Sequence, residues 1–384
     1  MGRSYTSKQM IEKLVSFDTT SCNSNLEIVN FIENYLLEWG VVSKKDPNYN
    51  NDKSNIYALI GPNCSGGVVL SGHTDVVPAD HSQWDTDPFS VVERDGKLFG
   101  RGTADMKSFI AIALALVPEM LKANLNRPII LAFSYDEELG CIGAPSMIAQ
   151  IVKNYPTPHA VIVGEPTSME IANGHKGGTC IETTVFGCEA HSSEVEQGVS
   201  AVLIAAELIT FINRMMIECY DKRDVNSTFS PCYTTLSCGT ISGGTAQNIL
   251  AGKCTFNWGV RCLPGEDPFH YINKFKDKCH DLLNDMRHIS KDCNIISNVF
   301  SDVPPLEPET NGAAETLMTH LLLKNITRSI SYGSEAGQFQ KAGLSTVMCG
   351  PGSILQAHQP NEFIELSQVA ECEKALLKLI RFQS

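Results

Sequence analysis

Short, largely apolar runs alternate with helical stretches at both ends of this chain, and that alternation limits its fold most. Residues 55–60, 68–70, 128–134 and 160–163 are apolar runs of strand length. Residues 109–121 have the length and apolarity of a buried helix. A strand that is apolar along its whole length must be covered on both faces, which calls for helices above and below a mixed or parallel sheet. Met10, Ile11, Leu14 and Val15 fall on one side of an N-terminal helix, and residues 1–20 carry no uncharged apolar core of signal-peptide length.

From about Gly177 the pattern changes. Residues 179–186 alternate as a strand with one polar face, and 200–217 form a long amphipathic helix. Strands are expected at 233–241 and 253–262, and a helix at 268–289. Two strand–helix–strand units with polar alternation predict a smaller α+β domain, solvated on one sheet face. After Pro304-Pro305 the first pattern returns, with helices at 313–323 and 367–382 and a strand at 345–349. The expected fold is α/β: a mixed-sheet domain with helices on both faces, made of residues 1–177 and 305–384. An inserted α+β domain over residues 178–304 interrupts it, as exposed loops permit.

Composition removes several classes of function. The 384 residues include 30 Lys+Arg and 43 Asp+Glu, a net charge of −13. With no basic cluster, the chain lacks the phosphate-neutralising footprint of a nucleic-acid binder. Its longest apolar run, 109–118, is about half of what a bilayer span requires. The fourteen cysteines are scattered and form no C-x-x-C pair. They read as buried, reduced thiols of a cytoplasmic protein.

The chemistry is expected at strand ends. No G-x-S-x-G, Walker A, G-x-G-x-x-G or H-E-x-x-H motif is present. Instead, four apolar strands each run into a loop with metal-capable side chains. The run at Val68 leads to His73 and Asp75, and the run at Ile129 to Asp136, Glu137 and Glu138. The run at Val161 leads to Glu165, and the run at Thr346, through a Gly/Pro loop, to His358. Asp105 precedes the buried helix. Ligands of open α/β sheets bind beyond the carboxyl ends of the strands. So many acidic groups gathered there would repel one another unless cations neutralised them. His with carboxylate suits zinc or a similar divalent ion. Taken singly, each residue also has an ordinary reading: a core or surface histidine, a helix cap at Asp105, a solvated pair at Glu137-Glu138, a turn at Glu165-Pro166.

Four longer segments narrow the choice: Ser71-Gly72-His73-Thr74-Asp75, Gly100-Arg101-Gly102-Thr103-Ala104-Asp105-Met106-Lys107, Asp136-Glu137-Glu138-Leu139-Gly140 and Gly164-Glu165-Pro166-Thr167. With His358 they occur in the order found in the dinuclear metallo-aminohydrolases, and the chain resembles this family of acetylornithine deacetylases, succinyl-diaminopimelate desuccinylases and carboxypeptidase G2. The resemblance runs from about residue 8 to the end. It implies a catalytic domain with an inserted lid or dimerisation domain, and two divalent metal ions, Zn²⁺ foremost, with Co²⁺ able to substitute. It makes His73 and Glu165 ligands of one metal, Glu138 and His358 ligands of the other, and Asp105 the bridging carboxylate. It also implies a cis peptide after Asp105.

Asp75 corresponds to the partner of the ligand His73, and Glu137 to the general base acting on metal-activated water. His191, in Ala190-His191-Ser192-Ser193, resembles the histidine that reaches the oxyanion across a homodimer, although the proline usual shortly after it is absent. Asn248 and Arg261 resemble residues that bind a substrate carboxylate, and Gly333-Ser334-Glu335-Ala336 resembles the loop near the substrate. The implied partner is a small N-acylated amino acid. The segments at 164–169, 175–177 and 350–362 resemble the branch that hydrolyses N2-acetyl-L-ornithine to L-ornithine and acetate. Desuccinylation, a broader aminoacylase or dipeptidase activity, and a binding protein without catalysis are the alternatives.

Overall fold

In the computed structural model, which describes residues 2–384, the chain divides into two compact units. One holds the chain up to Gly174 together with Leu306–Ser329 and Ser334–Ser384. The other holds His175–Pro305 and Ile330–Gly333.

The first unit is built on an eight-stranded mixed sheet. Four strands at its centre run parallel, in the order Ile129–Ser134, Val68–His73, Ala160–Pro166 and Thr346–Gly350. Every residue of these four strands is buried, as expected of strands covered on both faces. Beside them, Ser54–Ile60 pairs antiparallel with Ile129–Ser134. The helix Lys107–Ala115 is buried from Lys107 to Leu114 and belongs to the core with Met10, Ile11, Leu14 and Val15 of the first helix, Ser7–Val15. Thr6 and Gln9 close that first helix reciprocally, each side chain accepting the other's backbone N–H.

The apolar stretch expected to form one helix at 109–121 is broken in two, Lys107–Ala115 and Val117–Lys122. Pro118, in the first turn of the second piece, has no N–H to give to the carbonyl four residues earlier. Three short strands, Val92–Arg94, Lys97–Phe99 and Phe363–Glu365, form a separate small sheet with no apolar run to announce it.

The second unit is a four-stranded antiparallel sheet in the order Thr235–Gly243, Lys253–Arg261, Gly178–Phe186, Asn294–Val303. Helices Ala201–Asp221 and Pro268–Ile289 supply the other layer. Ser200 and Asp267 cap them through their side-chain oxygens. Ile181, Val185, Phe256 and Trp258 from the strands pack with Leu208, Ile212 and Phe275 from the helices. Alternate strand residues stay partly exposed, so one sheet face is packed and the other solvated. The expected strand at 233–241 is shifted to Thr235–Gly243 and carries a bulge between Cys238 and Thr240. Among the described residues, no helix is long and apolar enough to cross a membrane, and all fourteen cysteines are free.

Candidate metal centre

The parallel strands deliver their carboxyl ends to one edge of the sheet. His73 is the last residue of its strand and pairs with Ser134, the last residue of the neighbouring strand. Asp136, Glu137 and Glu138 follow immediately. On the other side, Pro166 pairs with Gly350, so Glu165 and the loop leading to His358 leave from the same edge. A one-residue change in this register would turn each side chain to the opposite face.

The resulting cluster has a definite geometry. Asp105 offers one oxygen to each histidine: Oδ1 lies 3.0 Å from His73 Nε2, and Oδ2 lies 3.4 Å from His358 Nε2. His358 Nε2 is also 3.0 Å from Glu138 Oε2, while His73 Nε2 is 4.0 Å from Glu165 Oε1. Two groups of donor atoms are close enough to share a cation: His73 with Glu137 and Glu165, and His73 with Asp105 and Glu138. The Asp105–Met106 peptide is cis.

The electrostatics favour a cation. Glu165 is 3% exposed, and its Oε1 has no hydrogen-bond partner. A buried oxygen of this kind is costly unless something positive faces it. Burial, and then the neighbouring carboxylates, pushes Glu165 well above the ordinary carboxylate range. Burial pushes Glu137 up to about 8, against the field of His73 and with the help of Glu138, Asp105 and Asp75. Glu138 is raised for the same first reason. Burial would also raise Asp105, but hydrogen bonds with His358 and His73 outweigh it and hold the carboxyl well down. The same contacts with Asp105 and Glu138 lift His358 to about 10. Mixed imidazole and carboxylate donors with this excess of negative charge fit divalent cations of the zinc type.

Around the cluster, Asp75 is tied to two strands' ends at once. His73 Nδ1 is 2.9 Å from the backbone oxygen of Asp75 and 3.5 Å from its carboxylate. The carboxylate accepts the backbone N–H groups of Glu137 and Glu138 at 3.1 and 3.2 Å, and the Ser21 hydroxyl at 2.8 Å.

Three further residues, not singled out individually from the sequence, complete the surroundings. Glu335 accepts hydroxyls at 2.6 Å from Ser71, on the His73 strand, and Ser134, the last residue of the neighbouring strand. Glu362 accepts the backbone N–H groups of Ala104 and Asp105 and pairs with Arg101 at 2.6 Å. Cys141 donates its thiol to Glu137. The quoted segments contained Arg101, Glu335 and Glu362, but a buried charge is legible in a sequence only as an ordinary surface charge.

The remaining candidates separate by unit. Ser334 lies in the first unit. It is wholly buried, donates to Met348 Sδ and accepts the backbone N–H of Ala336, so it shapes the start of the helix Ala336–Lys341. In the second unit His191 is exposed. Its Nδ1 accepts the Ser193 backbone N–H at 3.2 Å and lies 2.8 Å from the Ser193 hydroxyl. The Asn248 carbonyl accepts the N–H of Ser192, which brings Asn248 beside the His191 loop. Arg261 lies against Gly178 and Gly333, where an added β-carbon would come within 2.7 and 3.5 Å of its guanidinium.

The chain is similar to known proteins over nearly its whole length. Acetylornithine deacetylase of Buchnera aphidicola is 30% identical over 380 residues, covering 97% of this chain and 96% of the relative. The enzyme of the same name from Proteus mirabilis is 31% identical over 364 residues, covering 94% and 91%. Among solved structures, an M20 family metallo-carboxypeptidase from Sulfolobus solfataricus superposes with a TM-score of 0.78 at 17% identity, covering 99% of both chains. That similarity extends to the fold. The model of peptidase family M20/M25/M40 matches residues 69–381, a span that contains every side chain of the cluster, and the chain belongs to this family.

Proposed function

We propose that the chain hydrolyses N2-acetyl-L-ornithine with water to L-ornithine and acetate. The observation that carries the hydrolytic part is Asp105 set between His73 and His358, with Glu165 and Glu138 beside them and Glu137 adjacent. The name shared by full-length relatives supports the substrate.

In this reading His73 and Glu165 would hold one divalent cation and Glu138 and His358 the other, with Asp105 serving both. Zinc suits the donors, and cobalt would substitute. When bound, the two cations supply Lewis acidity that acidifies water and polarises the acyl carbonyl. Glu137 accepts the water proton as the oxygen–carbon bond forms at the acetyl carbon. It returns that proton to the amide nitrogen as the carbon–nitrogen bond breaks, which releases acetate and the free amine. Asp75 keeps the His73 ring and the Glu137-Glu138 backbone in place. Arg261, with Asn248, would take the substrate carboxylate, which a guanidinium can grip at both oxygens, and Gly333 would lie near the substrate. The inserted unit would act as lid and homodimer contact, with His191 given to the partner's oxyanion.

The deciding experiment compares acetate release from N2-acetyl-L-ornithine with succinate release from succinyl-diaminopimelate. Faster deacetylation is expected. Faster desuccinylation would overturn the substrate assignment.

A further inference from the structure

The loop after the strand Ile129–Ser134 turns back on itself and places one more side chain on the carboxylate of Glu137. The N–H groups of Gly140 and Cys141 both donate to the Glu137 carbonyl at 2.8 Å. Those of Ile142 and Gly143 donate to Asp136 and Tyr135 at 3.0 and 3.2 Å. This winding holds Cys141 at φ 55, a left-handed conformation that a β-carbon disfavours. Gln338 Nε2 adds a hydrogen bond to the Cys141 carbonyl at 3.2 Å. The outcome is that Cys141 Sγ, on a residue 3% exposed, sits 3.2 Å from Glu137 Oε1.

The chemistry of this pair is specific. As the proposed base Glu137 is ionised, and an ionised carboxylate only accepts hydrogen bonds, so in that state the thiol is the donor. A lysine or arginine in the same place would add a counter-charge and make the carboxylate a poorer base. A thiol is a weak, neutral donor and does so far less. It restricts the rotation of the carboxylate and leaves Oε2 free of this contact.

We infer that Cys141 is a positioning residue for the hydrolysis, aiming the carboxylate of Glu137 through an S–H···O hydrogen bond. This rests on the reading of Glu137 as general base.

The test uses the full-length protein with Cys141→Ala, Cys141→Ser and Glu137→Ala. In the metal-loaded enzyme, Cys141→Ala lowers kcat about 3- to 10-fold with KM unchanged, the effect of one modest hydrogen bond. Cys141→Ser keeps a donor and restores kcat toward the wild-type value. In the metal-free protein, the S–H stretching band lost in Cys141→Ala identifies this thiol. That band moves to higher frequency in Glu137→Ala, where its acceptor is gone. Near-normal turnover in Glu137→Ala would overturn the base itself. If Glu137→Ala is inactive but Cys141→Ala turns over normally, the positioning inference alone fails. It also fails if the S–H band stays in place in Glu137→Ala, or if Cys141→Ser is as impaired as Cys141→Ala.

Discussion

The backbone N–H of Glu137 donates to Asp75 Oδ1 at 3.1 Å, across 62 positions of sequence. Its neighbour Glu138 donates to the other oxygen of the same carboxylate. Asp75 therefore orients a histidine at the end of one strand and also sets the loop that begins after another. The proposed base and a proposed ligand hang from a single buried side chain.

Asp75→Asn tests this double duty. The amide has one oxygen where the carboxylate has two, so an NH₂ group would face a backbone N–H. Both metal affinity and turnover should fall about 10- to 100-fold, as is usual when the partner of a ligating histidine is removed. Chelator competition and kcat/KM measure the two effects. A variant with normal values of both would show that Asp75 fixes neither element.

Metal binding should be visible without any substrate. A cation that binds only the folded state raises the unfolding midpoint by mass action. Added Zn²⁺ should therefore raise the Tm of the chelated wild type. In Asp105→Ala the rise should be much smaller, because both proposed sites lose their shared ligand. Chelation should abolish turnover, and Zn²⁺ or Co²⁺ should restore it. An equal Tm rise in the variant would place the cation elsewhere.

Glu362→Gln probes the support of Asp105. The substitution leaves Arg101 buried without its carboxylate. Breaking one side of a buried ion pair typically costs about 3 kcal/mol or more. Denaturant unfolding should show that loss, with turnover reduced in the fraction that stays folded. A change within about 0.5 kcal/mol, the ordinary range for surface sites, would mean the pair is dispensable.

The second unit should carry its own acid sensitivity. Burial pushes the His175 imidazole down to about 4 from its ordinary 6.5. Below pH 6.5 the unfolded chain takes up a proton that the folded protein refuses until about pH 4. Stability from this residue is thus complete above pH 6.5 and is lost as the pH falls toward 4, by about 3 kcal/mol in all. Unfolding measured from pH 7.5 to 4.5 should show a shallower slope in His175→Gln than in the wild type. Identical slopes would remove His175 as the cause.

The parts of the fold that the sequence made legible are those with a local physical signature. Residues 68–70, 129–133 and 160–163 are apolar because both faces are covered, and any reader of hydrophobic runs finds them. The two capped helices of the inserted unit and its alternating strands are legible for the same reason. The break before Pro118 was missed because apolarity continues across it while the hydrogen-bond ladder does not. Strands of three residues, such as Val92–Arg94, are too short to have a period at all.

His73, Glu137, Glu138, Glu165 and His358 were legible as candidates because each follows an apolar strand, and parallel strands share one carboxyl edge. Their chemical identity is a property of the chain alone, as is the excess of acid over base that calls for cations. The tertiary structure decided the pairing: which oxygen of Asp105 faces which histidine, and that Asp75 holds two backbone N–H groups. It also decided that Glu362, Glu335 and Cys141 are buried against the cluster. Such contacts join residues up to 264 positions apart. No local periodicity encodes them, because they depend on sheet order and register, which exist only once the strands have paired.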